Sequence, residues 1–344
     1  MLTNPLPWQR QTWDRLFSAP TGLPHALLIS GPEGIGKRQF ARLVAQALLC
    51  EQLGRSSHPC GACLSCHWFE QETHPDFKLL QPDSHAADET DGGDSDQESG
   101  RGRGKQGGKQ ISVAQVRGLA GFTDLSAHRC GRKVVMLHPA EDLNLSAANA
   151  LLKTLEEPPR ETFFLLVCHR AHRILPTVRS RCRLMPMRVP GPAESIPWLA
   201  EQGVKDPLLA LSVAGFAPLR ALEDMRADNL ERRKIFLRRL ANGTLDPIGD
   251  AGNHDSTELP QVLGWLHQWT YDLVANRLSG RTRYNPDFAE PLRHISRQAD
   301  IVQLGRYHRS LVAYQSRLGH PLNPRLVFEY LFLSYLRSIG SGRE

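Results

Sequence analysis

Gly31-Pro32-Glu33-Gly34-Ile35-Gly36-Lys37 carries the residue types that wrap a phosphate. Glycines let backbone N–H groups turn inward around an anion, a helix starting at the loop adds positive potential, and a lysine reaches the terminal phosphates. Gly31, Gly34, Gly36 and Lys37 are therefore the candidate nucleotide-binding residues, with ATP or ADP as the ligand. Arg38 occupies the next position, where a working loop has the Ser or Thr hydroxyl that holds Mg²⁺. A second set of candidates follows closely. Cys50, Cys60, Cys63 and Cys66 can close a tetrahedral Zn²⁺ site, and with four ligands taken the ion braces a loop and has no open position for catalysis. An iron–sulfur cluster is the nearest alternative, but the Cys-Pro that usually completes its spacing is missing after His67. His67, His74, His169 and His172 receive no role, because an isolated histidine is more often packed or solvated than a ligand.

These residues need elements to hold them. His25 to Ser30 reads as a short buried strand, and Phe40, Leu43, Val44, Ala47 and Leu48 then recur at helical spacing, so strand, loop and helix follow in the order a phosphate loop requires. Ser112 to Arg117 reads as a cap and helix start, Lys133 to Leu137 as a buried strand, and Ala147 to Leu155 as a helix stopped by Pro158 and Pro159. Phe163 to Cys168 is again a strand. Such alternation predicts an α/β domain with a mostly parallel sheet. Beyond Pro190 the β signal fades: Leu208 to Leu222, Leu230 to Leu240, Val262 to Leu278 and Leu326 to Ile339 read as helices, and Asn242 to Glu258 as a loop.

The hydrolytic acids expected after the Lys133 to Leu137 strand are replaced by His138 and Pro139, with Glu141 and Asp142 arriving too late. Between Pro82 and Gln110 the chain is first acidic, then Gly- and Arg-rich, with almost no apolar residue, so it reads as a disordered insertion. At 344 residues the chain exceeds one core and favours two or three domains, while a net charge of +6 is compatible with a polyanionic partner without identifying one. No apolar run is long enough to span a bilayer, the opening residues do not form a signal peptide, and seven cysteines fit a reducing compartment, so the expectation is a cytoplasmic protein with no membrane partner.

Leu151-Leu152-Lys153-Thr154-Leu155-Glu156-Glu157-Pro158-Pro159 and then Ser180-Arg181-Cys182 resemble the signature pair of the bacterial clamp-loader AAA+ family, to which the four-cysteine module also belongs. The similarity is strong from Pro7 to about Arg188, moderate to about Arg226 and outlined beyond, where Asn323-Pro324-Arg325-Leu326 is its clearest echo. It implies an AAA+ P-loop NTPase domain over 1–188, with a zinc module at 50–66 and the insertion at 82–110. A small helical lid over 189–226 and an all-α C-terminal collar domain over 227–344 would follow. It implies further that Arg181 is an arginine finger reaching into the ATP site of a neighbouring subunit. The partners implied are delta and gamma/tau subunits in a hetero-pentamer, a sliding clamp and primed DNA. On the residues alone, Arg181 is equally one cation of a basic stretch with Arg173, Arg179 and Arg183, which could meet DNA.

Three positions depart from the active members of that family. Cys168 stands where a polar sensor is expected, Arg220 falls one residue late in Gly215-Phe216-Ala217-Pro218-Leu219-Arg220-Ala221, and the acids are gone. The expectation is a scaffold and finger donor in place of an ATP-hydrolysing gamma/tau motor. A P-loop kinase acting on a small molecule is a further alternative that leaves Ser180-Arg181-Cys182 unexplained.

Overall fold

In a computed structural model the described residues are 4–18, 22–52, 58–83, 110–123, 125–226, 229–252, 257–316 and 323–340. All but the edges of the insertion read at 82–110 lies outside them. Residues 1–190 and 191–344 form two compact units.

The first unit is built on a five-stranded parallel sheet ordered β2-β3-β4-β1-β5. Its strands are β1 (Ala26–Ser30), β2 (Phe77–Leu80), β3 (Lys133–Leu137), β4 (Thr162–Cys168) and β5 (Arg183–Pro186). The central strands are buried along their length, which is why they read as unbroken apolar runs: a parallel strand covered on both faces has no side to leave polar. Between β1 and β2 lie α1's successors α2 (Lys37–Leu49) and α3 (Leu64–Glu70), while α1 itself (Arg10–Phe17) precedes β1. Helix α4 (Val113–Thr123) starts as a capping box. Gln115 N donates to Ser112 Oγ at 3.3 Å, and Ser112 N donates to Gln115 Oε1 at 2.8 Å. Helix α5 (Leu145–Glu156) is capped by Asn144, which accepts from Ala147 N.

Pairing brings three strand ends together. Ser30 is level with Cys168 on one side and Pro186 on the other, so the residues that follow β1, β4 and β5 share the carboxyl edge of the sheet. In an open parallel sheet this edge is where ligands bind. The strand order and the loop between β1 and α2 make the unit an AAA+ P-loop fold.

The second unit is helical among its described residues and has two clusters of buried apolar side chains. One holds Leu199, Leu211 and Ala221, from α7 (Pro192–Glu201), α8 (Pro207–Val213) and α9 (Pro218–Arg226). The other includes Phe236, Leu263, Trp269, Phe328 and Tyr335. A fully buried Asp272 accepts backbone N–H bonds from Arg283, Tyr284 and Asn285, closing the turn after a 21-residue helix, Leu259–Ser279.

The sequence reading of this unit needs two corrections. Leu208 to Leu222 is two helices, because Gly215 and Phe216 adopt φ of 68° and 67°, a left-handed turn that ends α8 before Pro218 opens α9. Within the stretch read as a loop, Pro247–Gly252 is a short helix. No helix of the described residues is long and apolar enough to cross a membrane.

Candidate functional site

The loop after β1 is braced from behind by the N-terminus. Trp8 Nε1 donates to Ile35 O at 3.0 Å, and Gln9 Nε2 donates to Ile35 O at 3.2 Å and to Gly36 O at 2.9 Å. Trans peptides set N–H opposite C=O, so with these carbonyls turned toward Trp8 and Gln9 the N–H groups of Gly36 and Lys37 face away from them. Gly34 and Gly36 have φ of 75° and 90°, values that favour glycine. Gly31 is required for a different reason: a Cβ there would sit 2.7 Å from the backbone oxygen of Met187.

Lys37 is 2% exposed. Its Nζ donates to Pro32 O at 2.5 Å and to His169 Nδ1 at 2.9 Å. Burial holds its ammonium down at about 8. His169 follows β4 and is fixed by Glu141, whose carboxylate accepts from the N–H of His169 at 2.9 Å and of Arg170 at 3.1 Å. Glu141 thus supports the turn after β4, while His138 packs its ring edge-on to His169 at 5.4 Å. Cys168 is fully buried, and burial followed by the nearby Glu141 pushes its thiol up to about 11, so it stays neutral. Arg38 is the second residue of α2, directly after Lys37.

Arg181 stands away from these groups in the chain, after the single turn α6 (Pro176–Arg179) and before β5. Its Nη1 donates to Thr177 O at 2.9 Å, and its Nη2 pairs with the carboxylate of Glu156 at the end of α5. The side chain remains 32% exposed. The two signature segments read from the sequence therefore meet through Glu156 and Arg181. In the second unit, Arg220 pairs with Asp224 at 3.7 Å, one turn along its own helix.

At the far end of α2 the four cysteines converge. Their ligand atoms all lie within 4.8 Å of one another, with Cys50 and Cys63 sulfurs 4.0 Å apart and those of Cys60 and Cys66 3.9 Å apart. A tetrahedral ion with Zn–S bonds of about 2.3 Å spaces its sulfurs by roughly 3.8 Å, so the set fits zinc with little adjustment. Backbone donors already serve thiolates: Cys60 N and Gln52 N point at Cys50 Sγ, Cys63 N at Cys60 Sγ and Cys66 N at Cys63 Sγ, at 3.3–3.4 Å. Burial raises the Cys50 and Cys66 thiols, whereas at Cys60 burial is outweighed by N–H donors from Ala62 and Cys63, which bring it to about 7. Around the cluster, Glu51 accepts from Ser65 N and Oγ and from Arg129, whose guanidinium lies 5.3 Å over the Trp68 ring. Buried Asp76 takes the N–H groups of His128 and Arg129 at 3.0 Å and 3.1 Å, which clips the neighbouring loop to the module.

Sequence reasoning passed over several of these residues. His169 looks isolated in the sequence but touches the candidate lysine, and its place immediately after the strand that borders the loop is the signal for it. Trp8, Gln9 and Glu156 left no local pattern, because their contacts span 26 to 27 residues or join two separate segments.

The family model described as "DNA polymerase III, delta subunit" matches residues 10–190. The DNA polymerase III subunit delta' of Pseudomonas aeruginosa is 35% identical over 79% of this chain and 78% of its own length. Those of Haemophilus influenzae and Escherichia coli are 34% and 32% identical, over 74% and 84% of this chain and 72% and 83% of their own lengths.

Proposed function

The chain belongs to the DNA polymerase III delta-prime family, and from that premise we propose that it is a clamp-loader subunit that serves as scaffold and arginine-finger donor. Its partners are then gamma/tau and delta subunits, and the assembled complex places a sliding clamp on primed DNA. The observation that carries this reading is the contrast between two places in the first unit. At the phosphate loop, the metal hydroxyl is Arg38 and the acid positions are His138 and Pro139, and Glu141 is engaged by backbone N–H groups. By contrast, Arg181 sits in an intact Ser-Arg-Cys, with its guanidinium partly exposed. An arginine there offers a permanent charge and a planar fork of donors to a phosphoryl group that gains charge during transfer.

Gly31, Gly34, Gly36 and Lys37 form the phosphate-facing loop, and Cys50, Cys60, Cys63 and Cys66 hold a structural Zn²⁺ that supplies a rigid crosslink and no chemistry. The helices of 189–226 act as lid and those of 227–344 as the collar that joins subunits.

Reconstitution tests the proposal. Adding this chain to delta and gamma/tau subunits should give a complex whose ATPase is stimulated by clamp and primed DNA. Arg181→Ala should assemble normally and turn over more slowly. A finger supplied in trans contributes as much as ~10³ to 10⁵ in GTPases, and here only one of several sites loses it, so a smaller fall in total rate is expected. Arg181→Lys should rescue poorly, since the fork is lost. Normal turnover with Arg181→Ala would return the residue to the surface cations.

A further inference from the structure

We infer that His169 is the residue that sets the nucleotide affinity of this loop, by occupying the lysine that a terminal phosphate would need. The inference rests on reading 31–37 as a phosphate loop. Lys37 Nζ has two partners inside the protein, Pro32 O and His169 Nδ1, and the side chain is 2% exposed. A phosphate oxygen must take the place of at least one of them. Turning the His169 ring aside breaks its bond to Lys37 and its edge-on contact with the His138 ring, while Glu141 holds the backbone N–H groups of His169 and Arg170 in place beneath it. Glu141 thus fixes the backbone from which the ring that covers the lysine projects. Arg38 adds the second half of the specificity. With no hydroxyl in that position, whatever nucleoside diphosphate or triphosphate enters is bound by backbone N–H groups and Lys37 without metal help, so its binding does not require Mg²⁺.

A closed state populated about nine-tenths of the time raises an apparent Kd about tenfold. His169→Ala keeps the backbone N–H that Glu141 holds and removes only the ring. In the full chain, titration with a fluorescent ADP analogue should show His169→Ala binding at least tenfold more tightly than the unaltered protein. Adding Lys37→Met to that variant should abolish the gain, and the gain should be the same with and without added Mg²⁺. A direct reading of the contact keeps the test independent of nucleotide: the ¹⁵N resonance of His169 Nδ1 should shift on Lys37→Met. An unmoved resonance overturns the contact itself. If the resonance moves but neither the unaltered protein nor His169→Ala binds the analogue, the loop is not a phosphate site and the reading beneath the inference fails. Tight binding by the unaltered protein, lost with Lys37→Met, keeps the phosphate site and overturns the role of His169. Binding by His169→Ala that requires Mg²⁺ overturns the metal-free specificity.

Discussion

The two ends of α2 carry opposite kinds of site. At its N-terminus, the loop keeps the glycines and lysine of a phosphate site but places an arginine where a metal would be held. At its C-terminus, Cys50 joins three further thiols into a complete ligand set at tetrahedral spacing. One helix therefore links a glycine loop without a metal-holding hydroxyl to a thiol cluster spaced for a metal. The lesson is that both sets of residues bear structural load. The glycines allow β1, β5 and α2 to meet, and the cysteines join the end of α2 to α3, whereas an Asp and Glu after β3 would serve chemistry alone.

The largest effect should come from the cysteine end. Cys66→Ala should lower bound zinc from about one per chain to near zero and cost on the order of several kcal/mol, because the energy of holding a structural ion is folding energy. Metal analysis and thermal melting check this, and a chain with full stability and no metal would make the cluster a set of packed thiols. Next, Gly31→Ala should destabilise by about 2–3 kcal/mol, the scale of a strained backbone, since its Cβ would press on the Met187 carbonyl at 2.7 Å. Chemical denaturation measures it; an unchanged midpoint would mean that the ends of β1 and β5 separate freely. Glu141→Ala should cost about 1 kcal/mol by leaving the part-buried N–H of His169 without an acceptor and that of Arg170 to solvent, readable as faster amide exchange at both. The smallest effect sharpens the contrast most. Lys37→Ala should leave ATP turnover by the isolated chain where it began, at background, and a measurable rate that disappears with the lysine would make this a motor.

Legibility followed burial. Strands β1, β3 and β4 are visible in the sequence because both faces are covered, but β2 and β5 lie at the edges, where Lys78, Arg183 and Leu184 are not fully covered and the apolar run is broken. The four cysteines announce themselves, since ligands for one ion must be few, soft and closely spaced. The phosphate loop is equally plain for its glycines. What the sequence could not display is the use of replaced groups: Glu141 holding two amides, His169 against Lys37, and Glu156 against Arg181 are contacts made by folding distant segments together, with no periodicity to betray them.

The bond from Trp8 to Ile35 O has a consequence in exchange kinetics. The indole proton is buried in a ring that is 3% exposed, and it is released to solvent only when the loop lifts from the N-terminal turn. Its exchange rate is therefore a clock for loop opening that needs no label, and because the proton sits behind the loop, opposite the phosphate side, it can be read in the presence of any ligand without being touched by it.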